Sequence, residues 1–165
     1  PGDPYYLISE ASQVGERLPV TESAGDINEG RAAYIADTIC RLSPKHVDSS
    51  KIRVLVMGIT YKPDTDDIRN SQVARLCRLL TEKSMEVHVT DPYANPVKVK
   101  NVFGIELHTE PQAPYDVIVL AVGHKSYKVY DDRFFRTLSR SKESLFVDIG
   151  NHYRGKIKSI VYQGI

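Results

Sequence analysis

The chain has 165 residues, 41% of them hydrophobic, and 22 Lys+Arg against 21 Asp+Glu give a net charge of +1. Average apolar and charged fractions exclude a disordered, collagen-like or coiled-coil chain, and the length suits one ordinary globular unit. The charge balance leaves no electrostatic footprint for nucleic acid or an anionic membrane, and no apolar run is long enough to span one.

The first forty-odd residues read as helix. Asp3-Pro4 pairs a capping side chain with a proline in the first turn, opening a helix from Pro4 to Val14 that stops at Gly15. A loop, Glu16–Ser23, should follow, then a second helix after Asp26. Its apolar residues Ala32, Ile35, Ala36, Ile39 and Leu42 have helical spacing, and Pro44 ends it. Such a lead serves either as a connector and oligomer interface or simply as packing for a sheet. From Lys51 the rhythm changes. Ile52–Met57 is a β-branched apolar run ending at Gly58, as a buried parallel strand should look. Val73, Leu76, Cys77 and Leu80 mark the next helix face. Glu86–Thr90 is a second strand, Val117–Val122 a third and Leu145–Asp148 a fourth, with Ile160–Tyr162 a short fifth. Pro92–Pro114 carries the weakest signal, with Val102–Leu107 as a candidate edge strand. A helix starting at Asp131 or Asp132 should bury Phe134, Phe135 and Leu138. Strands alternating with helices imply an α/β fold, a Rossmann-like open parallel sheet with helices on both faces, preceded by long connecting helices. The division falls at residues 1–46 for the helical connector and 47–165 for the sheet domain.

Open α/β sheets bind ligands beyond the carboxyl ends of their strands, so the loop Gly58–Ser71 is the first place to look. It is not a dinucleotide fingerprint, because Gly58 is the only glycine in it. Asp91 stands where a ribose-reading acid would, but before Pro92 it reads first as a turn-forming residue. Lys62 and Arg69 lie among Asp64, Asp66 and Asp67. Either this is solvated turn chemistry, or Tyr61 and Lys62 present a ring and a point charge to a phosphate, with the acids engaged elsewhere. No metal-ligand spacing appears. Two cysteines make no disulfide framework and no signal peptide opens the chain, which fits a cytoplasmic setting. The chain begins at Pro1 rather than Met, as a piece of something longer would.

The string Gly58-Ile59-Thr60-Tyr61-Lys62-Pro63-Asp64-Thr65-Asp66-Asp67-Ile68-Arg69-Asn70-Ser71 resembles the hallmark of the UDP-glucose/GDP-mannose dehydrogenase family's C-terminal, UDP-binding domain. So do Val87–Tyr93, Ala121–His124 and Val147-Asp148, while Asp3-Pro4-Tyr5-Tyr6-Leu7 resembles the tail of that family's catalytic cysteine segment. The resemblance implies an NAD-dependent oxidation of a nucleotide sugar at C6 to the uronate, serving polysaccharide biosynthesis, with a UDP-N-acetylhexosamine closer to the motif than UDP-glucose. It places the cysteine nucleophile two positions before Pro1 and the NAD-binding domain further upstream, so these residues alone should be inactive. Cys40 and Cys77, on apolar helix faces, cannot substitute.

By the same resemblance Asp3 matches the catalytic aspartate, Tyr61 and Lys62 the substrate-binding pair, and Arg69 the arginine that reaches NAD. The family's Asp-x-Arg becomes Asp148-Ile149-Gly150 here, leaving Arg154 as the candidate substrate-binding replacement. His124 reads as a satisfied loop histidine ahead of a substrate contact. The helix Asp26–Leu42 corresponds to the family's homodimer core. The alternative is a self-standing Rossmann-like module that binds a nucleotide and regulates a partner.

Overall fold

The structure, a computed structural model, describes residues 3–45 and 52–165. The boundary expected between residues 46 and 47 lies outside the described residues. So does the side chain of Asp3.

Five strands form one parallel sheet: β1 (Arg53–Met57), β2 (Glu86–Thr90), β3 (Val117–Leu120), β4 (Leu145–Asp148) and β5 (Val161–Gly164). Their spatial order is β2-β1-β3-β4-β5, so the winding direction reverses between β1 and β3. Alternate residues of each strand face opposite sides. Val54, Val56, Val117, Val119, Leu145 and Val147 enter one core with α2 (Pro19–Leu42) and α3 (Gln72–Glu82). Leu55, Met57, Ile118, Leu120 and Phe146 enter a second core with Tyr127 and with Phe135 and Leu138 of α5 (Asp132–Leu138). Burial on both faces explains why these strands are uninterrupted apolar runs rather than alternating ones.

The helical lead comprises α1 (Asp3–Gln13) and α2. Ala32, Ile35, Ala36 and Ile39 of α2 are buried in the core shared with Leu76, Cys77 and Leu80 of α3. The second helix starts at Pro19 and not after Asp26, so most of the expected Glu16–Ser23 loop is helical. Pro19 sits in the first turn, where its missing N–H costs nothing, and the Glu22 carboxylate accepts the Leu18 N–H at 3.2 Å and pairs with Arg17. The candidate edge strand Val102–Leu107 is also corrected. Asn95 caps a helix, α4 (Pro96–Phe103), by accepting the Lys98 N–H at 3.0 Å, and Gly104 ends it at φ +71°. Of that strand a single bridge between Val89 and Leu107 remains. β3 stops at Leu120 instead of Val122, because the Ala121 and Val122 N–H groups both turn to the Met57 carbonyl. Asp131 caps α5 as expected, but Phe134 is only half-buried and stacks on Tyr130 with centroids 3.8 Å apart. No helix among the described residues is long and apolar enough to cross a membrane.

Candidate functional site

The reversal between β1 and β3 splays their following loops apart and opens a cleft at the carboxyl edge of the sheet. Gly58 makes the turn possible. Its φ is +91°, and a Cβ there would lie 2.5 Å from Val122 Cβ, so the two loop bases touch across the crevice.

The loop beyond Gly58 is fixed by a buried clamp. The parallel register Met57↔Thr90 sets Asp91 beside the start of this loop. Asp91 Oδ2 accepts the N–H groups of Ile59 at 2.7 Å and Thr60 at 3.2 Å, and Oδ1 accepts those of Tyr93 at 2.8 Å and Ala94 at 2.9 Å. His124, fully buried, lies 3.2 Å from Oδ2 through Nε2, while its Nδ1 accepts the Asp64 N–H at 2.9 Å. That acceptance assigns the ring proton to Nε2, which donates to Asp91. Burial alone would raise the Asp91 carboxyl, but the His124 hydrogen bond and the backbone donors outweigh it and hold the carboxyl at about 2. Asp91 therefore staples the ends of β1, β2 and β3 together rather than only turning its own loop. His124 is satisfied inside the protein.

Two of the loop's three acids are engaged with neighbours. Asp67 takes Arg69 in a two-point pair, Nε–Oδ1 2.9 Å and Nη2–Oδ2 2.8 Å, and these bonds hold its carboxyl at about 2. Asp64 accepts the Lys125 N–H at 2.8 Å, the main reason its carboxyl lies below the usual range. Asp64 and Asp67 thus neutralise protein groups, and Lys62, exposed on the same loop, also lies within the field of Asp67.

The cleft itself has a volume of about 780 Å³. Thr60, Tyr61, Ala121 and Val122 line it from the sheet edge, and Tyr5, Asn28 and Arg31 from the helical lead. Tyr5, two residues after Asp3, is thereby brought to the same cleft as Tyr61; its hydroxyl donates to Glu29 at 3.2 Å. Lys62 and Arg69 lie on the same loop, both exposed. Arg154 is exposed in the turn after β4, and none of Lys62, Arg69 and Arg154 is among the residues lining the cleft. Sequence reading overlooked Arg31 and Gln72. The buried Gln72 Oε1 has no hydrogen-bond partner among the described residues. Neither carries a local signal, because only the packing of α2 against α3 turns them to the cleft.

The loop lacks the glycines of a pyrophosphate-binding dinucleotide cradle. At the α3 N-terminus Ser71 is the cap: its Oγ accepts the Ala74 N–H at 3.4 Å and donates to the Ile59 carbonyl at 2.6 Å. Among the described residues no group of three or more His, Cys, Asp or Glu is placed to hold a metal ion.

A doubly wound α/β sheet with a ligand cleft at its switch point is therefore the class of protein defined by the fold. Residues 55–155 match the UDP-glucose/GDP-mannose dehydrogenase family, UDP binding domain. The chain is 32% identical over 148 residues to a UDP-N-acetyl-D-glucosamine 6-dehydrogenase of Pseudomonas aeruginosa, covering 87% of this chain and 35% of that protein. It is 34% identical over 127 residues to Protein CapL of Staphylococcus aureus, covering 76% and 30%. A solved UDP-D-ManNAc dehydrogenase from Pyrococcus horikoshii superposes with a TM-score of 0.79 at 25% identity, covering 99% of this chain and 36% of that one. The chain belongs to the UDP-glucose/GDP-mannose dehydrogenase family and carries its C-terminal UDP-binding domain. It spans about a third of the length of these relatives.

Proposed function

We propose that these residues are the substrate-holding part of an NAD-dependent nucleotide-sugar 6-dehydrogenase, which oxidises a UDP-N-acetylhexosamine or UDP-glucose to its uronate. The observation that carries this reading is the coincidence of the family match with a clamped loop at the switch point, in which Asp64 and Asp67 engage protein groups and the Lys62 ammonium forms no ion pair among the described residues. In this account the UDP group lies across the β1/β3 cleft. Tyr61 supplies a ring face, and Lys62 a point charge for the diphosphate. Arg69, released from Asp67, is the side chain of the loop that reaches the dinucleotide. Asp3 acts on water at the reacting carbon. Arg154 would need to swing from the β4 turn to meet the substrate, the role left open by Gly150. The dinucleotide, when bound, accepts the hydride; these residues bind and orient the sugar nucleotide.

The 165 residues by themselves should not turn over a UDP-sugar. They hold no glycine-rich fingerprint, and burial raises both of their thiols, Cys77 to about 12. The reading includes a homodimer through α2 in a cytoplasmic setting. Val20, Ile27 and Tyr34 recur at seven-residue intervals and are 84%, 75% and 62% exposed, an apolar stripe suited to a symmetric helix pair.

Calorimetric titration of UDP tests the site. Saturable binding, weakened roughly tenfold to a hundredfold by Lys62→Ala, is expected for the loss of one charge-assisted phosphate contact. Binding unaffected by that substitution would sink the assignment.

A further inference from the structure

A second cleft opens on the other side of the β3 end. Ala121 and Val122 face the first cleft, whereas the next two residues, Gly123 and His124, line the second. It has a volume of about 660 Å³ and lies between the carboxyl ends of β3 and β4 and the start of α5.

The position of His152 is set by two glycines. A Cβ on Gly123 would collide with its imidazole, and one on Gly150 would sit 2.9 Å from its Nε2. The sequence thus clears both strand ends for this one ring. Lys128, Arg133 and Lys156 also line the cleft. Among the described residues no side-chain hydrogen bond or ion pair engages the head groups of Lys128 and Arg133 or the His152 ring. Lys156 Nζ is 3.4 Å from the His152 carbonyl and lies over the Tyr153 ring at 5.6 Å.

Two carboxylates share the cleft, and each turns one oxygen, Oδ1, to donors of the protein. Asp131 Oδ1 accepts the Phe134 N–H at 2.9 Å. Asp132 Oδ1 accepts the N–H groups of Lys158 at 2.9 Å and Ser159 at 3.1 Å, and the Ser159 hydroxyl at 2.9 Å. Three cations therefore line the cleft against two carboxylates, an excess of one positive charge, and Lys128 and Arg133 keep their donors free among the described residues. The remaining lining is apolar and aromatic, formed by Leu120, Tyr127, Tyr130 and Tyr153, with Lys156 over the Tyr153 ring.

Free cationic donors beside an aromatic wall define a ligand with one anionic and one flat apolar end. We propose that this cleft binds a small phosphate ester, its phosphate on Arg133, Lys156 and His152 and its organic part against the tyrosine wall. Lys and His meet phosphate as point donors, and Arg adds a two-point contact. The site is separate from the UDP cleft and does not depend on the proposed dehydrogenase function.

Phenyl phosphate is the probe, with benzyl alcohol and inorganic phosphate as its two halves, titrated into the full 165-residue chain by calorimetry and NMR. Phenyl phosphate should saturate one site, more tightly than inorganic phosphate, while benzyl alcohol gives no saturation. Arg133→Ala and Lys156→Ala, both at exposed positions, should each weaken it about tenfold, and Lys62→Ala should leave it unchanged. Absence of saturable phenyl phosphate binding, or binding as tight in both cation variants as in the unsubstituted chain, would overturn the proposal. Competition by UDP that is lost in Arg133→Ala but kept in Lys62→Ala would place the nucleotide itself here and overturn the separateness of the site. Failure of UDP alone to bind, with phenyl phosphate retained, would refute only the dehydrogenase assignment and support this one.

Discussion

Replacing Asp91 by Asn tests the clamp that shapes the substrate loop. The carboxylate receives four backbone N–H groups and the His124 Nε2–H through two oxygens. The amide keeps one acceptor oxygen and turns an NH2 group toward the other set of donors. Either the Ile59 and Thr60 pair with His124, or the Tyr93 and Ala94 pair, is left facing a donor. Two or more buried hydrogen bonds to a charged acceptor are lost, a destabilisation of about 3–5 kcal/mol at neutral pH. The pH dependence carries an independent signature. Folding lowers the Asp91 carboxyl from its ordinary value to about 2, and the side chain is fully buried. Its contribution is therefore complete above about pH 4 and is lost as pH falls through about 2, roughly 2.5 kcal/mol in total. Urea unfolding of both proteins between pH 7 and pH 2 measures this. The gap should narrow steadily below pH 4. A cost under about 1 kcal/mol at pH 7, or a gap that stays constant down to pH 2, would refute the clamp.

Gly58→Ala should cost about 3 kcal/mol or more in thermal unfolding, because a positive φ and the Val122 collision act together. Gly104→Ala, at φ +71° but with nothing within 4 Å of its Cβ, should cost only about 1–2 kcal/mol; equal costs would remove the crevice contact from the explanation. A thiol reagent at pH 8 should label Cys40 in the native chain and Cys77 only on unfolding, since burial pushes the Cys77 thiol up to about 12; rapid native labelling of Cys77 would contradict its packing. Ile27→Glu should shift sedimentation equilibrium from dimer to monomer with the far-UV circular dichroism unchanged, and an unchanged mass would discard the proposed α2 interface.

The parallel sheet was legible because its strands are buried on both faces and write that burial as unbroken runs such as Val54–Met57. The Asp131 cap and the mouth loop Gly58–Ser71 were legible for a similar reason, since their signals are local. Helix α4 was misread although its start and stop lie in the sequence. Asn95-Pro96 and Gly104 are a cap, a first-turn proline and a left-handed stop, but Val97, Val99 and Val102 between them look like strand residues. At α2, Gly25 and the polar stretch around it masked the start that Pro19 marks. The clamp could not be read at all. Asp91 and His124 are far apart in the chain, and only the register Met57↔Thr90 and the β1–β3 pairing bring them together. Arg31 and Gln72 were missed for the same reason, as they meet through helix packing alone. The aromatic wall of the second cleft was equally invisible, because Tyr127 and Tyr130 follow β3 while Tyr153 follows β4, and only the β3–β4 pairing joins the two segments.

A crystal structure with UDP bound to the 165-residue chain tests the central claim most directly. The account predicts density for the nucleotide across the carboxyl ends of β1 and β3, with the diphosphate within hydrogen-bonding distance of Lys62 Nζ and the Asp91–His124 clamp intact. A nucleotide seated elsewhere on the sheet edge, with Lys62 still in solvent, would contradict it.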